Sequence, residues 1–374
     1  MSMLRFVLGK SKKSLLKRCI AVMLATALMS SLSPLVAAQD KDQPQPVPKI
    51  IEISVAVNDV QASSQQYAEL LGLSQWQYFD LSLTSSANSV ETRPELRVAR
   101  SQWQDITIEL IQPLADSSPV KRFLAARGEG LFSVGFEAAS FTERLKGKSS
   151  ELFSAESAQG AYAQWWDTFD GLGIHLKSIS SNRLHKPWGV SNFSVDTALA
   201  ARVFQLGIVV DDIKKTALQY QEVIGLAPWM VVDFKSPHVS NAQYLGAFSD
   251  DSSSTFIQVA YGNWAGLQIE LLAPITGPSP HRDFLISKGA GAHHLSFGPV
   301  KNHDNLVRFY SKKGLQVQMQ SDNGGVGRTA TYMASEKNLG FVLELTRPAD
   351  GPGSLRPSGV IGQLPTPSVS ALAP

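Results

Sequence analysis

The chain has 374 residues, a formal net charge of +2 and a single cysteine, Cys19, so it is long enough for two domains but has no disulfide framework. Six basic residues fall within the first 18 positions, and from Gln39 onward the formal charge is −4. No basic patch with interleaved aromatics follows, which argues against nucleic acid as a partner.

Residues 1–38 read as a secretory signal: a basic segment without acids, the apolar run CIAVMLATALMSSL, then SPLVAA with Val36 and Ala38 before the expected cut. The apolar run is shorter than the about 20 residues a membrane helix needs, so no stable membrane span is expected after its removal. Export to the periplasm or the medium is the expected location. Cys19 would leave with the signal, and with it any thiolate nucleophile or zinc-thiolate site. Residues 39–49 form a polar, proline-rich leader. Residues 349–374 form a Pro/Gly/Ser-rich tail, expected to be disordered or loosely draped.

Between these ends the chain repeats itself. Residues 104–136 match residues 265–297 at an offset of 161, and residues 58–76 match residues 211–229 at an offset of 153. In the second copy, residues 203–210 alternate as a strand, Asp211 and Asp212 precede a helix over 213–224, and Gly225 closes it. PWMVVDF, TFIQVAYG and LQIELLAP follow as strands. A second unit of the same order runs from AHHLSFGPV through a helix in NHDNLVRFYSKKG to the strands LQVQMQS, GRTATYMAS and GFVLELTRP. The same elements can be traced from Ile50 to Ile179. The expected fold is α+β, with four βαβββ modules in two pairs over residues 50–179 and 203–348, joined by a linker at 180–202.

FQLGIVVDDI, QIELLAP, GAGAHHLSF, GVGRTATYMAS and GFVLELTRP, in this order, resemble the vicinal oxygen chelate proteins. These include glyoxalase, methylmalonyl-CoA epimerase, bleomycin-resistance proteins, and extradiol and 4-hydroxyphenylpyruvate dioxygenases. The second half is most similar to the epimerase and glyoxalase-like branch, whereas the layout of a degenerate first pair and an equipped second pair is similar to the dioxygenases. The resemblance implies that each pair of modules folds into an open cup-shaped mixed sheet with flanking helices. It also implies a metal bound by the first and last strands of each module.

Carried over residue by residue, that pattern falls on Gln205, Glu270, His294 and Glu344, each flanked by apolar neighbours on a strand. An imidazole, two carboxylates and an amide suit one divalent ion such as Mn, Fe, Co, Ni or Zn. His293, by alternation, faces away. The equivalent positions of the first half are Glu52, Glu109, Ser133 and Lys177, where an ammonium would stand in for the cation and exclude a metal. Trp229, Tyr261 and Trp264 are candidates to line a substrate cup. Gly324 to Arg328 would form a loop at its mouth, with Arg328 placed to meet a substrate carboxylate. His238 and His281 fall in predicted loops.

Three functions fit. The first is an exported, metal-dependent isomerase, epimerase or lyase that stabilises an enolate of a small oxygen-chelating substrate, with Glu344 or Glu270 as base. The second is an Fe(II) extradiol-type dioxygenase, for which Gln205 stands where a histidine is needed. The third is a non-catalytic protein that binds a small ligand. Residues 231–262 contain no glutamate to match the epimerases' separate base, which argues against a methylmalonyl-CoA substrate. A homodimer is compatible with all three.

Overall fold

A computed structural model of the chain describes residues 47–84, 95–138, 141–157, 160–180, 187–195, 201–235, 239–248, 255–323, 328–347 and 357–362. The expected signal, most of the leader, His238 and residues 324–327 lie outside the described residues. No helix among the described residues is long and apolar enough to cross a membrane.

The first half forms a nine-stranded sheet. Its first module comprises β1 (Ile50–Ala56), α1 (Val60–Leu71), β2 (Gln75–Thr84), β3 (Leu96–Trp103) and β4 (Ile106–Pro113). A connecting helix, α2 (Pro119–Arg127), leads to β5 (Gly130–Glu137), α3 (Thr142–Lys146), β6 (Glu151–Ser157), β7 (Gly160–Trp166), α4 (Phe169–Leu172) and β8 (His175–Ile179). β1 and β5 pair antiparallel at the centre, and each is flanked by the parallel last strand of its own module. The long β2 pairs with both β3 and β6, so this sheet closes on itself.

The second half repeats the plan with β10 (Val203–Val209), α5 (Ile213–Ile224), β11 (Trp229–Phe234), the hairpin β12 (Val239–Tyr244) and β13 (Ala247–Phe248), β14 (Phe256–Trp264) and β15 (Leu267–Thr276). It continues through α6 (Pro280–Lys288), β16 (Gly291–Phe297), α7 (His303–Lys312), β17 (Val317–Asn323), β18 (Arg328–Met333), α8 (Glu336–Leu339) and β19 (Val342–Thr346). The inserted hairpin changes the closure. β12 takes the edge of β17 that would otherwise meet β11, and the eleven-stranded sheet stays open.

Local chemistry explains the element ends. Asp59 and Asp212 accept hydrogen bonds from the first-turn amides of α1 and α5, and Gly72 and Gly225 end these helices in the left-handed conformation. Ser118 and Ser279 cap α2 and α6 ahead of a proline in the first turn.

Two stretches set outside the domains carry structure. Within the expected linker, β9 (Gly189–Asn192) pairs with β2; within the expected tail, β20 (Gly359–Ile361) pairs with β11. These strands extend the repeat, because Trp188 N donates to Tyr78 O and Ser358 N donates to Val231 O at equivalent places. The edge of a strand supplies backbone partners whatever the side chains, so composition alone hides such additions.

One apolar core joins the two halves. Tyr67 of α1 donates to Leu339 O in the second half, and its counterpart Tyr220 of α5 donates to Leu172 O in the first. The reciprocity is that of a pseudo-twofold axis.

Candidate metal centre

Two rows of cross-strand neighbours place the site. Glu270, Gly207 and His294 are directly opposite one another on β15, β10 and β16. Two residues along, Gln205, Ser296, Glu344 and Tyr332 face one another on β10, β16, β19 and β18. Cross-strand partners share a face, and so do positions two apart, so all seven belong to the concave side. Gly207 is required there. A Cβ at that position would lie 1.9 Å from the His294 ring, so the absent side chain makes the space in which the imidazole lies.

The structure brings together three of the four expected ligands. His294 Nε2 is 3.0 Å from Glu270 Oε2 and 3.4 Å from Glu344 Oε2, and all three residues are buried. Such separations are those of donor atoms around one small cation with bonds of about 2 Å. Gln205 joins indirectly: its Oε1 accepts from Ser296 Oγ at 2.8 Å, Ser296 also contacts Glu344 Oε2, and the Gln205 amide nitrogen donates to Gln268.

Burial pushes the Glu344 carboxyl above its usual range; His294 pulls it down, but Glu270 pushes it further up. For His294 burial works toward the neutral ring, and its hydrogen bond and charge interactions with the two glutamates outweigh it, so its pKa is raised. Among the described residues no Lys or Arg pairs with Glu270 or Glu344, which leaves two buried carboxylates sharing one imidazole. That donor set, buried and short of positive charge, fits a divalent cation.

The carboxylates form the floor of a cavity of about 650 Å³, its open mouth included. Tyr261, His281 and Tyr332 stand beside them, and Ile257, Val259, Leu272 and Met319 form apolar walls. Tyr261 is thus where the sequence places it. Trp229 is not: it is fully buried in the core against Tyr220, with its indole nitrogen donating to Leu226 O. Trp264 is likewise a core residue, bonded to Pro48 O. As edge-of-module aromatics, both cover the outer face of the sheet instead of the cup. Arg328 begins β18, and its side chain lies outside the described set.

Two histidines depart from expectation. β16 bulges at His293, since Ala292 and His294 pair with consecutive residues of β10, and the alternation that turned His293 away is broken. His293 Nδ1 therefore lies 3.1 Å from His294 Nδ1. His281 sits in the first turn of α6 instead of a loop, with its ring 5.1 Å from those of both His293 and Tyr332. Burial holds His281 and His293 far below the usual histidine range, in the neutral form. The Ser279–Pro280 pair was the available signal for this helix start.

The chain belongs to the glyoxalase/bleomycin resistance protein/dioxygenase superfamily, whose model matches residues 52–164 and 204–332. Among individual proteins, it is 24% identical over 147 residues to the uncharacterized protein YqjC of Bacillus subtilis (strain 168), covering 39% of this chain and 92% of that one. A triple mutant of 4-hydroxymandelate synthase from Streptomyces coelicolor shares the fold at 13% identity and a TM-score of 0.55, covering 83% of this chain and 95% of that one. A xylose isomerase-like TIM barrel/4-hydroxyphenylpyruvate dioxygenase fusion protein matches at 14% identity and a TM-score of 0.43, over 91% of this chain and 55% of its own.

Proposed function

We propose that the protein is an exported, glyoxalase-like, metal-dependent enzyme that takes a small substrate by two of its oxygens. It acts by enolate chemistry, as an isomerase, epimerase or lyase. The observation that carries this reading is the meeting of His294 with Glu270 and Glu344, two carboxylates that line an open cavity with apolar walls and have no Lys or Arg paired to them among the described residues. A single divalent ion (Mn, Fe, Co, Ni or Zn) held by these three residues, with Gln205 as the fourth candidate, would supply Lewis-acid polarisation of the substrate oxygens.

The chain's own residues do the rest. The apolar walls exclude water, which strengthens every polar contact inside. Glu344, with its raised carboxyl pKa, suits the role of a group that takes and returns a proton, and Glu270 is its alternative. Tyr332 hydrogen-bonds Glu344 and orients it. Tyr261 and Arg328 are the candidates for contacts to the rest of the substrate. The basic and apolar N-terminus supports export, and the partner is a small molecule.

Metal content of the mature protein, measured by plasma mass spectrometry beside a His294→Ala/Glu344→Ala double mutant, tests the site. At least one transition ion per chain, reduced by the double mutation, is expected. No ion after reconstitution would leave a small-ligand binding protein in its place. With metal present, exchange of a substrate α-proton for deuterium without dioxygen uptake supports enolate chemistry. Dioxygen uptake on catechols would move the protein to the ring-opening oxygenases.

A further inference from the structure

We propose that His281, His293 and His294 form a second metal position, built of three imidazoles, directly behind the carboxylate position and sharing His294 with it. One nitrogen from each ring lies within 4.8 Å of the other two, and all three residues are buried. His293 Nδ1 and His294 Nδ1 face each other at 3.1 Å, about the separation of two adjacent nitrogen ligands on one ion with bonds of about 2.0–2.1 Å. His294 can serve both positions because its Nε2 points to Glu270 and Glu344 while its Nδ1 points to His293.

The stronger observation concerns His281. It is 1% exposed, and neither ring nitrogen has a hydrogen-bond partner. A buried polar group without a partner forfeits its hydration without compensation, and native structures rarely carry one without a use.

Packing does not require it. In the first half the equivalent positions are Val120 and Phe132, both fully buried, and that cup folds with an apolar pair where the second has two histidines. The bulge at the repeat position is also present in the first half, where Ser54 and Val55 pair with Ser133 and Leu131, so it is not an accommodation to histidine. What the second half has added is therefore nitrogen donors.

Three imidazole donors without a carboxylate select a late, borderline ion such as zinc or copper over manganese, magnesium or calcium. Filling both positions would make the His294 ring a bridge, with its remaining N–H proton released to solvent. The proposal stands apart from the reaction assigned above, because each position has ligands the other lacks.

The test is zinc binding by the mature chain, stripped with chelator and then dialysed against Zn(II). Wild type is compared with His281→Val, His293→Phe and Glu344→Gln, each checked for native circular dichroism. The first two variants restore the side chains that the first half already packs. Two zinc ions per wild-type chain are expected, falling to one in every single variant and close to none in His281→Val/Glu344→Gln.

One zinc that is lost in His281→Val but kept in Glu344→Gln would uphold the imidazole position and sink the carboxylate one. Unchanged stoichiometry and affinity in both His281→Val and His293→Phe would overturn the proposal, as would no zinc in wild type. Should those variants fail to fold, pulsed electron paramagnetic resonance of the Cu(II)-loaded wild type decides. Two or more imidazoles on one copper are expected, and a single imidazole on every copper overturns it.

Discussion

The two cups solve one electrostatic problem in opposite ways. Each buries two carboxylates on the same scaffold: Glu52 and Glu109 in the first, Glu270 and Glu344 in the second. In the first cup Lys177 occupies the centre. Its ammonium donates to Glu52 Oε1 at 2.5 Å, Glu109 Oε1 at 2.7 Å and the Tyr162 hydroxyl at 3.1 Å. Arg100 adds a second contact to Glu52 at 2.8 Å.

Burial pushes Glu52 upward, but the two cations outweigh it and hold its carboxyl below the usual range. In the second cup the positions of Lys177 and Arg100 are taken by Glu344 and Tyr261, and the sheet opens where the first one closes. A cup that balances its own charge has no need of an outside ion. One that does not has the charge to attract one, as proposed above for the second cup.

The largest effect that would break this contrast comes from Lys177→Met. It leaves two buried carboxylates with Arg100 as their one remaining cation among the described residues, and chemical denaturation should show a loss of about 3–5 kcal/mol. Glu344→Gln in the metal-free protein should instead be neutral or stabilising, and equal losses in the two variants would refute the comparison.

Loading comes next. A metal at a thousandfold excess over its Kd should stabilise the chain by about 4 kcal/mol. The gain should survive in Arg100→Lys and vanish in His294→Ala/Glu344→Ala, as read from thermal melts.

Gly207→Ala follows, with a cost of about 1–3 kcal/mol for forcing the His294 ring aside and with weakened metal binding. The equivalent first-half residue is Ser54, whose hydroxyl merely donates to Glu109, and Ser54→Ala should cost no more than about 1 kcal/mol.

The smallest expected effect is in pH dependence. Glu52, lowered in the fold, contributes stability that is present above its usual 4.5 and is lost as pH falls through its lowered value. Glu344, raised in the fold, has the opposite sign. Its contribution is full below its usual 4.5 and is lost as pH rises through the raised value. Glu344→Gln should therefore stabilise the metal-free protein at neutral pH and gain nothing near pH 4. Stability curves of the two proteins against pH that run parallel would contradict this assignment.

Much of this was visible in the sequence for a physical reason: alternation and repetition are local properties. The family resemblance singled out the strand positions, and because residues on regular strands have fixed faces, Glu270, His294 and Glu344 could be expected on one side of a cup, with Lys177 against Glu52 and Glu109. The same logic failed at His293, where a single extra residue in β16 reverses the alternation. It failed also for Trp229, since an aromatic in a strand looks the same whether it fills a cup or covers a core.

The chain by itself thus determined the duplicated α+β architecture and, with the family resemblance, the candidate ligands Glu270, His294 and Glu344 on one concave face. Only the tertiary structure decided which groups stand across from them. His281 reaches the cluster from the start of α6, Ser296 links Gln205 to Glu344, and β12 keeps the second sheet open. These arrangements depend on how separate elements approach in space, and no local spacing along the chain encodes that approach.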